Sequence, residues 1–351
     1  MPSIHDHTPD EFLEEFRKGA NDPPLALYTG AALAAAGRLE EAVAVWTIGE
    51  DADPIIRTIW LHPDAQGELK EHSRNADTLI RRHFTDMHRK TVDEMGGEEL
   101  DRIRRGVWMQ YATEPCSYRH EKQRPLIFYV PDLPARPVTP NDMLDWTGAL
   151  EAAHGDILAE YSEAVKNDIT QYPYVSEDIT EPQWQTLRGK LDWSALYLHF
   201  NASETQEAKH FPKTLEALSS APLVARDGTP LETFFSRLKP GAHIPPHCGL
   251  TNTRLTVHLP LIVPDDCEIR VADDIYKWTE GKITAFDDSF EHEAWNRSQE
   301  DRAVLIFETH HPDLKDAEIA AIEAVYARFD KWVSGRAEML QLEIKEPANA
   351  T

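Results

Sequence analysis

Two histidines, His247 and His292, sit in the motifs IPPHCGLTNTRLTVHLPL and AFDDSFEHEAWNRS, and Arg302 follows ten residues after the second. Imidazole nitrogens are ready ligands for a first-row divalent metal, and a guanidinium is a planar fork matched to a carboxylate. Together they describe a site for iron and for the far carboxylate of a keto acid. A facial triad would add Asp or Glu two residues after the first histidine, but that position is Gly249.

Strands must bring these residues together. From about residue 230 onward, strand signals recur at short intervals, separated by Pro-Gly, Pro-Asp-Asp, Glu-Gly-Lys and Asp-Asp-Ser turns. That cadence predicts a β-sandwich or barrel with its edges closed or covered. Side chains alternate across a strand. Over 254–259, Arg254, Thr256 and His258 share one face and Leu255, Val257 and Leu259 the other. Over 302–308, Arg302, Val304, Ile306 and Glu308 share a face, and Ser236 lies with Phe234 and Leu238. Bringing Ser236, His258 and Arg302 together would make a carboxylate pocket of one guanidinium fork and two hydrogen-bond donors.

Upstream, the first 110 or so residues read as helical. Residues 24–48 predict a helix, a turn at Gly37 and a second helix, with small residues letting the pair approach closely. Helical patterns continue over 66–95 and 97–111. A strand is expected in LIFYVPDLPARP, a helix over 141–167, a strand over 193–203 and a short helix in KHFPKTLEALSSAP. The class is α+β, with a boundary at 112/113: a tetratricopeptide-like helical region over 1–112 and a β domain over 113–351, its motif core at 230–314.

The net charge of −25 argues against a nucleic-acid surface or an anionic membrane surface. No apolar run approaches the ~20 residues of a transmembrane helix, and the N-terminus has no signal-peptide pattern. Three scattered cysteines, Cys116, Cys248 and Cys267, make no disulfide framework. Cytoplasm is the expected compartment.

From about 125 to 314 the chain resembles the aspartyl/asparaginyl β-hydroxylase family of iron- and 2-oxoglutarate-dependent oxygenases. The resemblance is carried by FFSRLKPGAHIPPHCGLTNTRLTVHLPL, Cys267–Ala272, WTEGKITAFDDSFEHEAWNRS and RAVLIFETHHP. It implies a double-stranded β-helix (jelly-roll, cupin-like) domain after a helical region. It implies His247 and His292 as the Fe(II) ligands, with glycine at 249 as the family has it and water in place of the carboxylate. Asp288 would hold that water. Ser236, His258 and Arg302 would bind 2-oxoglutarate, and Arg254 the substrate's carboxylate. Thr256 stands where animal members have a second arginine, and His310 where they have tryptophan.

The implied reaction consumes 2-oxoglutarate and O2, releases succinate and CO2, and hydroxylates the β-carbon of Asp or Asn in a peptide or protein. The same chemistry on a free amino acid, another small carboxylated molecule or a lipid is the alternative, and a non-catalytic cupin-like binding module is the third reading. The N-terminal helices would brace the β domain or dock a partner. Each residue also has a plainer role: Asp288 in a turn, Ser236 in a strand, His258 buried and satisfied, Arg302 in an ion pair, Arg254 in solvent. Cys248 is expected on the strand face opposite His247, and adjacent His310 and His311 are not expected to share an ion.

Overall fold

The computed structural model describes residues 7–19 and 22–342. These divide into two compact units. One draws on residues up to 104, on 110–115 and on those from 320 onward; the other comprises 105–109 and 116–319.

In the first unit, helices Pro23–Ala35 and Leu39–Ala52 form a hairpin whose turn passes through Gly37 at φ 80°. That left-handed conformation suits glycine, which has no Cβ to clash. The two helices approach closely because a glycine stands on one side of each contact. A Cβ on Gly30 would fall 2.2 Å from Trp46 Nε1, and one on Gly49 would fall 2.5 Å from Ala26 Cβ. The long helix Gly67–Met95 presents Ile80, Phe84 and Val92 to this core. Most of helix Asp316–Met339 joins the same unit, with Phe329 and Trp332 packed on Phe84 at centroid distances of 5.1 and 5.0 Å. The contacts therefore interleave the two units along the chain, where the sequence reading drew one cut at 112/113.

In the second unit, two antiparallel sheets carry the fold. The larger runs Val138–Thr139, Thr284–Phe286, Arg254–Ile262, Arg302–His310, Thr233–Leu238, Trp193–Phe200 and Tyr172–Pro173, with Ser203–Glu204 beside Trp193–Phe200. The smaller runs His243–His247, His292–Asn296, Cys267–Val271 and Asp274–Tyr276.

Strand alternation divides the larger sheet's side chains between two cores. Leu255, Val257, Leu259, Leu305 and Phe307 pack with Leu150, Ile157 and Tyr161 of the helices Thr147–Ala152 and His154–Lys166. Trp193, Leu238 and Phe286 pack instead with Ile244, Ile269 and Ala294 of the smaller sheet. Burying one apolar face under helices leaves the polar face of the same strands turned to the space between the sheets.

Two expectations are corrected. The segment 141–167 is a short turn, Asn141–Met143, and two helices broken at Ala153, not one helix. Gly148 and Gly155 flank that break, and glycine propagates a helix poorly. Over 97–111 the helix stops at Arg104, and Val107–Trp108 pairs as a strand with Phe128–Tyr129. A β-branched and an aromatic residue with a partner strand outweigh the helical spacing.

Candidate active site

The two histidines are direct cross-strand partners. His247, last in its strand, stands opposite His292, first in the neighbouring one, and the ring centroids are 4.1 Å apart. Each ring is aimed by a main-chain carbonyl two residues upstream. His247 Nδ1 lies 2.8 Å from Pro245 O, and His292 Nδ1 lies 2.9 Å from Phe290 O. A carbonyl only accepts, so both Nδ1 atoms carry the proton and both Nε2 lone pairs are left for a ligand. Burial lowers both histidine pKa values, that of His292 to about 3, so the rings are neutral at ordinary pH.

These rings line a cavity of about 290 Å³ in the second unit, shared with Ser236, His258, Asp288 and Arg302. Trp184 and Phe286 wall the rings, at 5.1 Å from His247 and 5.2 Å from His292.

Arg302 is 1% exposed. Its Nη1 donates to Ser236 Oγ at 3.2 Å, its Cζ lies 4.8 Å from the centre of the Trp278 ring, and its Nε has no partner. Burial pulls its pKa down to about 10. No carboxylate pairs with this guanidinium among the described residues, so the structural ion-pair reading of Arg302 does not hold. A buried cation with an idle donor is costly unless a ligand supplies the anion. Ser236 is fixed from the other side by Trp193 Nε1, at 3.1 Å.

His258 takes the opposite tautomer to the pair. Trp278 Nε1 donates to His258 Nδ1 at 3.2 Å, and burial holds the imidazole well below its ordinary pKa. A neutral ring that accepts at Nδ1 carries its proton on Nε2 and offers it as a donor.

Asp287 and Asp288 divide the turn between them. Asp287 is the turn-former: its Oδ1 accepts from Ser289 N at 3.0 Å and Ser289 Oγ at 2.5 Å, while Gln123 Nε2 donates to its Oδ2 at 3.0 Å. Asp288 faces the cavity, and Thr256 Oγ1 donates to its Oδ2 at 2.9 Å. Burial, then Glu308 and Asp287, push the Asp288 carboxyl up to about 8. Gly249 is the space it needs. A Cβ there would meet Asp288 Cγ at 2.1 Å and Oδ1 at 2.2 Å.

Arg254 lies outside the residues that line the cavity, held by Glu308, which lines it: Nη1 donates to Oε2 at 3.0 Å. Cys248, expected on the opposite face, lines the cavity as well. The ladder is irregular between Ile244 and His247 and the strand ends at His247, so simple alternation does not extend to it. Burial raises its thiol to about 11, which keeps it protonated in the metal-free protein. Sequence reasoning passed over Trp193, Trp278, Glu232 and the Thr256–Asp288 contact. Carrying the Phe234/Ser236 alternation back by two residues would have pointed to Glu232.

Residues 151–312 match the family described as Aspartyl/Asparaginyl beta-hydroxylase. The human aspartyl/asparaginyl beta-hydroxylase is 37% identical over 148 residues, 41% of this chain and 19% of that protein. The ornithine lipid ester-linked acyl 2-hydroxylase of Rhizobium tropici is 31% identical over 185 residues, 50% of this chain and 61% of that one. The human aspartate beta-hydroxylase domain-containing protein 2 is 30% identical over 236 residues, 65% of this chain and 61% of that one. The chain thus spans about a fifth of the first relative and about three fifths of the other two. No helix among the described residues is long and apolar enough to cross a membrane.

Proposed function

We propose that the protein, whose residues 151–312 match the aspartyl/asparaginyl β-hydroxylase family, is an Fe(II)- and 2-oxoglutarate-dependent dioxygenase. It hydroxylates the β-carbon of an aspartyl or asparaginyl residue in a peptide or protein, releasing succinate and CO2. One observation carries this reading. Two imidazoles with free Nε2 lone pairs share a cavity with a buried guanidinium whose Nε has no partner. A metal suits the two imidazoles and a carboxylate suits the guanidinium.

In this reading His247 and His292 hold the iron. Iron with 2-oxoglutarate supplies the activation of dioxygen, chemistry that no side chain performs. Arg302, backed by Ser236 and the Nε2–H of His258, holds the co-substrate's far carboxylate, and the aromatic wall limits water. Asp288 holds a water in place of the carboxylate ligand that Gly249 does not provide, and Thr256 steadies Asp288. Arg254 orients the substrate beside Glu308. We read the two sheets as a double-stranded β-helix. The N-terminal hairpin is read as a tetratricopeptide-like unit that offers a docking surface.

A second reading keeps the chemistry and changes the substrate to a free amino acid, another small carboxylated molecule or a lipid acyl chain. It is favoured by the Rhizobium relative, whose name describes acyl hydroxylation and whose similarity covers half of this chain. Succinate formation with Fe(II) and 2-oxoglutarate tests the enzyme. A search for single-oxygen mass gains on Asp and Asn across a proteome, with and without the protein, separates the substrate classes.

A further inference from the structure

Arg302 and Glu308 stand on the same face of one strand, six residues apart, which is ~20 Å of extended chain. The cavity therefore has a cationic end and an anionic end. Glu232 lies just before the adjacent strand Thr233–Leu238, one residue past the last rung, Thr233–Phe307, and outside the ladder. Both glutamates line the cavity. Like charges that line one cavity repel. Arg254 neutralises Glu308, but Glu232 has no hydrogen bond or ion pair among the described residues. Asp288 adds a third carboxyl to the same lining. At the far end, the buried Arg302 Nε independently marks the cavity as built for a ligand.

We propose that Glu232 and Glu308 form a receptor for a cationic nitrogen of the substrate, so that the molecule hydroxylated carries an ammonium or guanidinium group near the carbon that reacts. This rests on the oxygenase reading above and names its substrate class. A substrate carboxylate alone would have to approach an arginine already held by Glu308, with Glu232 facing it. A cation relieves the glutamate pair and leaves Arg254 where it is. Burial and Glu308 push the Glu232 carboxyl up to about 7, and a cation at that position would draw it down again.

The nitrogen has three sources: the α-ammonium of a free amino acid, a Lys or Arg beside Asp or Asn in a peptide, or an amine-bearing lipid headgroup. The test uses the full chain with Fe(II) and 2-oxoglutarate and three matched pairs: lysine and its doubly acetylated form, a Lys-Asn peptide and its Nε-acetyl form, and an N-acyl ornithine and its acetylated form. Single-oxygen products and succinate are measured, and binding of each pair is followed in parallel with Mn(II) in place of iron.

The free amine is expected to exceed its acetylated partner by about tenfold or more in one pair, which identifies the source. Glu232→Gln, which relieves the like-charge repulsion and so spares the fold, is expected to reduce that preference to about threefold or less. Glu232→Asp retains part of it. Equal response and equal binding in every pair, or a preference untouched by Glu232→Gln, overturns the proposal while background succinate formation keeps the oxygenase reading standing. Absence of any succinate removes both.

Discussion

A methyl group added to Gly249 would lie 2.1 Å from Cγ of Asp288, so the carboxyl of one segment fills the volume a side chain at the other would need. The position where a third ligand is expected is therefore closed by a carboxylate that arrives from 39 residues further along the chain. Gly249→Ala forces that carboxylate off Thr256, and overpacking of this kind costs ~1–3 kcal/mol. Its thermal midpoint should fall and succinate formation should drop. In the Gly249→Ala/Asp288→Ala double variant, thermal unfolding should recover most of the stability and turnover none of the activity. Additive losses in stability would show that the two positions do not share the space.

With two imidazoles as its protein ligands, the metal should be held weakly without co-substrate. Fe(II) titrations should show affinity rising by about tenfold or more when 2-oxoglutarate is present, because a partner that binds only the loaded site adds its own binding free energy. Identical affinities would contradict the two-histidine site. His292→Ala should abolish turnover while circular dichroism and thermal unfolding remain near wild type.

Arg302→Lys keeps the charge and loses the fork. A point-charge ammonium cannot reproduce a planar bidentate contact or the face-on packing against Trp278. The KM for 2-oxoglutarate is expected to rise by ~10–100-fold, with Mn(II) affinity in the absence of co-substrate unchanged. A loss of metal affinity of similar size would place Arg302 in the metal's own surroundings.

The buried carboxyls set a pH slope for the metal-free protein. Asp287 is pushed up to about 7 and Asp288 to about 8, chiefly by burial. A carboxyl whose folded pKa is raised contributes in full below its unfolded pKa, and that contribution falls as pH rises until the folded pKa is passed. The buried histidines act in the other direction, but only below about pH 6.5, their ordinary pKa. Between about pH 6.5 and 8 the thermal midpoint should therefore fall and then level off, and Asp288→Asn should flatten part of the decline. A midpoint that stays flat over this window would show that Asp288 is already ionised in the folded protein.

In the helical hairpin, Gly30→Ala places a Cβ 2.2 Å from Trp46 Nε1. The indole is fully buried and cannot swing clear, so a loss of ~1–3 kcal/mol is expected in denaturant unfolding of this unit. An exposed site such as Gly19, with nothing near its Cβ, serves as the control.

Much of the site was readable in the chain because strands have a period of two. The alternation over 254–259 and 302–308 put His258 and Arg302 on one face, and the larger sheet carries them there. The turn at Gly37 and the helices beside it were local patterns too. What escaped notice depended on distant pairing. Trp278 supports His258 from 20 residues away, Thr256 meets Asp288 across 32, and Val107–Trp108 becomes a strand only because Phe128–Tyr129 is there to pair with it. Cys248 was misplaced for a related reason, since alternation fails where a ladder slips.

The carbonyls of Pro245 and Phe290 are main-chain atoms. Every amino acid at those positions brings the same oxygen, so no substitution there deletes the acceptor that sets each imidazole's tautomer. Neighbouring side chains, Glu232 and Arg254 among them, can then be exchanged over evolutionary time without disturbing the ligands' aim. Such a scaffold can acquire new substrates while its chemistry stays fixed.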